Sequence, residues 1–266
     1  MGNVVLKSKK LHYFCSLFFF CTTLLCASVP KISIITSVYK GDQYIAGFME
    51  DIVSQTIFDQ CELIMIDANS PDNECQIIKK YMEQYSNIIY LRFDHDPGLY
   101  AVWNMAIAMA GGAYITNANL DDRLKFDCYE KHAQTLDMHT DVDLVYSDFY
   151  VTYYPNETFI CNRYSHVRTM AEFSPENMVQ PLPNNHPMWR KSLHDRCGYF
   201  DTTYRYVADY EFWLRAVGLG AIFMKAPGIY GLYYFNPQGV STNSANGRAI
   251  RAEEARIYVR YSYLFK

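Results

Sequence analysis

Ile32-Ser33-Ile34-Ile35-Thr36-Ser37-Val38 is apolar and β-branched, the composition of a strand buried within a parallel sheet. The chain around it alternates helix and strand. Gln43–Ser54 places Ile45, Phe48, Met49 and Ile52 at helical spacing, and Glu62–Asp67 (ELIMID) is a second buried strand. Ser70-Pro71-Asp72-Asn73-Glu74 reads as a helix start with proline near the first turn; that helix runs to Tyr85. Asn87–Phe93 is a third strand, Leu99–Ala110 a helix stopped by Gly111-Gly112, and Ala113–Asn117 a fourth strand. Phe126–His139 is helical and Val142–Val151 a strand. This order predicts an α/β fold, Rossmann-like, with a mostly parallel central sheet, right-handed crossovers and flanking helices. Asn156–Pro187 is irregular, with Pro175, Pro181, Pro183 and Pro187, and reads as an excursion that walls a site. Val207–Val217 is a helix, and Ala221–Ala226 and Gly228–Phe235 are strands. The chain divides into an apolar segment (1–30), one domain (31–240) and a helical extension (241–266).

The 266 residues are half hydrophobic and one fifth charged, with a formal net charge of −4. That suits one large globular domain. Basic and acidic residues are mixed, and no basic tract suits nucleic acid. Tyr (24) and Phe (16) are abundant enough to pack a core and leave a few rings for stacking on a base or sugar. Cys15, Cys21 and Cys26 lie in the N-terminal stretch. The other five, Cys61, Cys75, Cys128, Cys161 and Cys197, are odd in number and lack CxxC spacing. They read as reduced thiols rather than a zinc site or a disulfide framework.

Lys7, Lys9 and Lys10 precede an apolar run from Leu11 to Ala27 that Pro30 closes. The run is slightly short of the roughly 20 apolar residues that span a bilayer. Signal peptide, signal anchor and a tether on the cytoplasmic face compete. The unpaired cysteines favour a cytoplasmic enzyme associated with the membrane through residues 11–27; export or anchoring is the alternative.

In an open parallel sheet, ligands bind beyond the carboxyl ends of the strands. Four consecutive strands deliver polar residues there: Ser37-Val38-Tyr39-Lys40, Asp67-Ala68-Asn69-Ser70, Asp94-His95-Asp96-Pro97-Gly98, and Asn117 through Asn119, Asp121 and Asp122. Adjacent carboxylates repel unless a cation neutralises them, and Mg²⁺ or Mn²⁺ suits Asp121 and Asp122. Capping the helix at Phe126–His139 explains one of the two aspartates and not both. Asp67 can accept an N–H from a nucleobase edge, or simply form a turn. Asp209, beside aromatics in Ala208-Asp209-Tyr210-Glu211-Phe212-Trp213, has the setting of a general base or of a partner for Arg205 or Arg215. His186, in Asn184-Asn185-His186-Pro187, either contacts phosphate or acceptor or bonds a loop carbonyl.

These motifs, in this order, resemble the inverting glycosyltransferases of family 2, with the GT-A fold, over roughly Lys31–Phe235. Ile34-Ile35-Thr36-Ser37-Val38-Tyr39 is similar to the family's opening strand and nucleotide loop, implying donor contacts at Thr36, Val38 and Tyr39. Glu62–Asp72 resembles the base-binding segment and assigns Asp67 to the base. Asp96-Pro97-Gly98-Leu99-Tyr100 through Asn104 resembles a donor-site turn and helix, implicating Asp96, Gly98 and Asn104. Gly112–Ile115 through Asn119-Leu120-Asp121-Asp122 is similar to the metal motif. It implies Mn²⁺ or Mg²⁺ on Asp122 with Asp121, the latter nearer the ribose, and Asn119 beside them. Cys197–Asp201 with Ala208–Arg215 resembles the segment of the catalytic base, Asp209, and Gly239-Val240-Ser241 the closing loop. Ala101 stands where the subgroup has Asp, and Asn119 where many members have Asp. The resemblance implies a nucleotide-sugar donor, UDP-linked by preference, and a glycan, lipid-linked or other hydroxyl acceptor. A sugar-phosphate nucleotidyltransferase would need a glycine-rich loop after the first strand, whereas Tyr39-Lys40-Gly41-Asp42 has one glycine. An inactive nucleotide-sugar binder would not need Asp67, Asp121, Asp122 and Asp209 together.

Overall fold

The computed structural model describes residues 29–265, so the apolar run at 11–27 lies outside it. Among the described residues no helix is long and apolar enough to cross a membrane.

Strand β1 (Ile32–Val38) is fully paired in parallel with β2 (Cys61–Asp67), from Ile32 opposite Cys61 to Val38 opposite Asp67. β3 (Ile88–Arg92) and β4 (Tyr114–Asn117) extend this parallel half on either side. The crossovers are α1 (Asp42–Val53), α2 (Glu74–Met82) and α3 (Leu99–Met109). The two-residue β5 (Arg123–Leu124), α4 (Cys128–Met138) and the long β6 (Leu144–Thr152) follow.

Beyond β6 the excursion holds β7 (His166–Arg168), which pairs with β6, and a short 3₁₀ turn at Glu176–Val179. β8 (Met188–Arg190) then inserts antiparallel between β4 and β6. α5 (Leu193–Cys197), α6 (Ala208–Gly218), β9 (Phe223–Tyr234) and α7 (Gly247–Tyr261) complete the chain. The sheet order is β3-β2-β1-β4-β8-β6-β9-β5. β6 and β9 run parallel to each other, and because two antiparallel steps restore direction, parallel to β1–β4 as well. The mostly parallel sheet read from the sequence is present; the two strands expected at Ala221–Ala226 and Gly228–Phe235 are one continuous strand.

Alternation of side chains along β1 separates two cores. Ile32, Ile34 and Val38 pack with Phe48 and Met49 of α1, Ile78 of α2 and Leu136 of α4. Ile35 packs on the opposite face with Val102 and Ile107 of α3, Phe212 and Trp213 of α6, and Ile257 and Tyr261 of α7. The result is three layers, helix–sheet–helix. It leaves the carboxyl ends of six codirectional strands at one edge.

Candidate active site at the carboxyl edge of the sheet

At the end of β1, Thr36 and Val38 are buried and Tyr39 is exposed. Lys40 has φ +51° and donates its N–H to Ser70 Oγ at 2.9 Å, and the Gly41 N–H donates to Glu74 Oε1 at 2.6 Å. Ser70 Oγ donates to the same oxygen at 2.9 Å. The buried Glu74 carboxylate thus ties the turn after β1 to the turn after β2, a role its place in an ordinary helix start did not announce.

Asp67 ends β2 with no solvent exposure. Its Oδ1 accepts the Ser70 N–H at 2.6 Å, and its Oδ2 accepts the Tyr90 hydroxyl at 2.6 Å and Arg92 Nη1 at 2.9 Å. The turn-forming reading of Asp67 is therefore present, with Tyr90 and Arg92 on its other oxygen. The group that reaches solvent here is Arg92, whose side chain is 40% exposed. Burial and the Asp67 bond push the Tyr90 hydroxyl far above its ordinary value.

After β3, exposed Asp96 accepts the Gly98 N–H at 2.8 Å, and Gly98, at φ +89°, opens α3. No side chain but glycine adopts that angle without strain. Asn104, one turn into α3, gives its amide to Phe200: Nδ2 donates to the carbonyl at 2.9 Å and Oδ1 accepts the N–H at 3.0 Å. That pins α3 to the segment leading to α6.

After β4 the chain makes the turn Asn119-Leu120-Asp121-Asp122 into β5. α4 begins past Asp127, so neither Asp121 nor Asp122 caps it. Asp122 is buried; Oδ1 accepts the Tyr234 N–H at 3.1 Å and Oδ2 accepts Asn119 Nδ2 at 3.0 Å. Burial, then the neighbouring Asp121 charge, holds its carboxyl well above the usual carboxylate range. Asp121 is half-buried and accepts Asn236 Nδ2 at 2.9 Å. His186, at φ +57°, sits 3.8 Å from Asp122 Oδ2, and its buried Nε2 has no hydrogen-bond partner among the described residues. Burial lowers its pKa to about 3, so the ring is neutral. A Cβ on Gly231 would run into this imidazole.

Adjacent Asp121 and Asp122 are hard donors of the kind a divalent cation takes when phosphate and water supply its other ligands. Among the described residues no group of three or more His, Cys, Asp or Glu is placed so that it could hold a metal ion.

Asp209 lies in the first turn of α6 and is half-buried. Burial raises its pKa, opposed by the Tyr100 hydroxyl, which donates to Oδ1 at 2.8 Å. That hydroxyl also lies 2.9 Å from the Tyr206 carbonyl. The segment after β9 links Asp121 to Tyr206, which lies three residues before Asp209. Asn236 donates to Asp121, and the Asn236 carbonyl accepts from Gly239 N–H and Thr242 Oγ1. Asn246 Nδ2 donates to the Val240 carbonyl at 2.9 Å, and Tyr206 OH donates to Asn246 Oδ1 at 3.4 Å. Residues 236–246 thus carry hydrogen bonds from Asp121 at one end to the Tyr206 hydroxyl at the other. Tyr100, Arg92 and Asn236 are partners that the sequence reading did not single out; only Tyr100 carried a signal, its place after the Asp-Pro-Gly turn.

The family model for Glycosyl transferase family 2 matches residues 33–209. The chain belongs to this family. Among similar curated proteins, GlyG of Streptococcus pneumoniae, a glycosyltransferase, is 30% identical over 45% of this chain and 39% of its own. An uncharacterized glycosyltransferase of Methanocaldococcus jannaschii, MJ1057, is 25% identical over 71% of this chain and 65% of its own. The minor teichoic acid biosynthesis protein GgaB of Bacillus subtilis is 30% identical over 42% of this chain and 13% of its own. This family 2 chain therefore spans less than two thirds of each. Among solved structures, TarS of S. aureus in complex with UDP-GlcNAc superposes with a TM-score of 0.70, at 18% identity, over 87% of this chain and 67% of its own. The mannosyltransferase PcManGT of Pyrobaculum calidifontis, in complex with GDP-Man and Mn²⁺, gives 0.60 at 13% identity, over 89% and 72%. The GT-A fold expected from the sequence is the fold of this family 2 member.

Proposed function

We propose that the chain transfers a glycosyl group from a nucleoside diphosphate sugar, UDP-linked by preference, to an acceptor hydroxyl with inversion, in glycan or polysaccharide assembly. The observation that carries this is Asp209: a carboxylate in the first turn of α6 with a raised pKa, oriented by Tyr100. A raised carboxylate is the better proton acceptor. Asp209 takes the proton of the acceptor hydroxyl as its oxygen bonds the anomeric carbon. The bond from that carbon to the phosphate oxygen breaks, and its electron pair leaves with the diphosphate. Attack opposite the leaving group inverts the centre.

Asp122 and Asp121 would hold a divalent cation, Mn²⁺ or Mg²⁺, which would supply charge neutralisation at the diphosphate when bound. Asp67, with Arg92 and Tyr90, frames the base; Tyr39 flanks the nucleotide; and Asp96 and Gly98 shape the turn beside the donor. His186 backs Asp122. The ligands in the TarS and PcManGT complexes, UDP-GlcNAc and GDP-Man with Mn²⁺, support a donor of this class.

Two measurements test the reading. A thermal-shift panel of nucleotide sugars with and without Mn²⁺ should single out a donor by linked stabilisation. Asp209→Asn should fold and bind that donor while turnover falls at least ~100-fold; near-normal turnover removes Asp209 from the chemistry.

A further inference from the structure

The family match ends at residue 209, yet the segment that presents Asp209 is held from the C-terminal helix. α6 opens at Val207, which brings no side-chain cap. The N–H groups at a helix start require acceptors. The N–H of the Val207 cap and those of the two residues before it find one in Glu253, in the middle of α7. Its Oε1 accepts the Arg205 N–H at 2.8 Å; its Oε2 accepts the Tyr206 N–H at 2.9 Å and the Val207 N–H at 3.3 Å. Three consecutive amides converge on one carboxylate, and a negative charge there complements the helix dipole.

The placement is built into α7. Glu253, Ile257 and Tyr261 recur every four residues and so share a face. Ile257 and Tyr261 are buried in the core that α6 lines, and the Tyr261 hydroxyl donates to buried Glu211 at 2.5 Å. One turn from Glu253, the Arg256 guanidinium lies 4.5 Å above the Tyr204 ring. The clamped stretch is also the one that orients the base: the Tyr206 carbonyl and Asp209 Oδ1 share the Tyr100 hydroxyl.

We propose that Glu253 is a positioning residue for Asp209, holding residues 205–207 so that Tyr100 and Asp209 stay in register. The inference rests on Asp209 being the base. Glu253 touches no reacting atom, so its loss should lower kcat and leave donor binding intact.

The test uses the full chain. Glu253→Ala should lower kcat about tenfold or more, with donor KM changed less than twofold and nucleotide binding by calorimetry unchanged. Glu253→Gln, which keeps acceptor oxygen but loses the charge, should fall between. Hydrogen exchange should quicken at the amides of 205–207 and not in the turn at 119–122. Should Glu253→Ala fail to fold, Glu253→Gln carries the same comparison. A variant whose 205–207 amides are released while kcat stays within twofold overturns the proposal. So does a loss of donor affinity equal to the loss of kcat/KM, or protected amides in Glu253→Ala. Asp209→Asn separates the two layers: if it retains turnover, the base assignment fails; if it is inactive while Glu253→Ala turns over normally, only the positioning role fails.

Discussion

Tyr100 has one hydroxyl hydrogen and two acceptors, Asp209 Oδ1 at 2.8 Å and the Tyr206 carbonyl at 2.9 Å. Donation to the carboxylate stabilises its charged form and opposes the desolvation that raises its pKa. Tyr100→Phe removes the donor and keeps the ring, so the Asp209 pKa should rise further. The acid limb of the kcat profile should move to higher pH, with kcat below it falling in proportion; an unmoved limb would show that the hydroxyl does not bond the ionised base. Asp122→Asn belongs to the same scale. The amide can still accept the Tyr234 N–H, but it carries no charge for a cation, so Mn²⁺-dependent nucleotide binding should weaken at least ~10-fold by calorimetry. Equal affinity in the variant would place the cation elsewhere. The aspartates themselves were legible, because strand ends and adjacent carboxylates are local signals. Their partners were not: Tyr100 meets Asp209, and Asn236 meets Asp121, from more than a hundred residues away in sequence, and periodicity carries no information about such pairs.

The elements whose apolar pattern runs for a turn or more, β1, β2, α1, α3 and α6, were readable because burial on a fixed face imposes the period. β8 was not: its three residues, Met188-Trp189-Arg190, follow a proline-rich tract and are too few to show alternation. β9 read as two strands because Pro227-Gly228 is a breaker pair; the sheet absorbs it as an irregularity in the β6 register between Tyr146 and Phe149, with Gly228 at φ +118°. β5 is only two residues, and its Arg123 anchors the carboxylate turn. The buried guanidinium donates through Nη1 to the carbonyls of Leu120 at 2.9 Å and Asp122 at 2.6 Å, and through Nη2 to the Tyr44 carbonyl at 3.3 Å. Arg123→Met leaves those carbonyls unpaired at a cost of about 1–3 kcal/mol each at most. The melting temperature should drop, and Mn²⁺ with nucleotide should restore less of it than in the wild type, since the turn presenting Asp121 and Asp122 is no longer fixed. A variant that melts lower but gains the full ligand-linked shift would show that Arg123 supports the fold without setting the turn.

Across the whole molecule, the layer of α1 and α4 holds two titratable groups whose pKa values burial shifts in opposite directions. Asp51 of α1 accepts the Leu124 N–H at 3.0 Å, and burial raises its pKa to about 7. His132 of α4 is fully buried, and its pKa is lowered to about 4 by burial. Their linkage to stability has opposite signs. Between its ordinary value of 3.8 and about 7, Asp51 binds more proton folded than unfolded, so its contribution is complete in acid and is lost as pH rises through that window. Between about 4 and its ordinary value of 6.5, His132 binds less proton folded than unfolded, so its contribution is present above 6.5 and is lost as pH falls. The two oppose each other between pH 4 and 6.5, and single variants unmask them. Asp51→Asn, which can still accept the Leu124 N–H, should gain stability relative to the wild type as pH rises from 4 to 7, with a slope of at most ~1.4 kcal/mol per unit. His132→Leu should lose its relative advantage over the same rise, gaining only in acid. Denaturant midpoints across pH 4–8 measure both differences. If both difference curves are flat, folding shifts neither group's proton affinity, and burial in this layer leaves both side chains in contact with water.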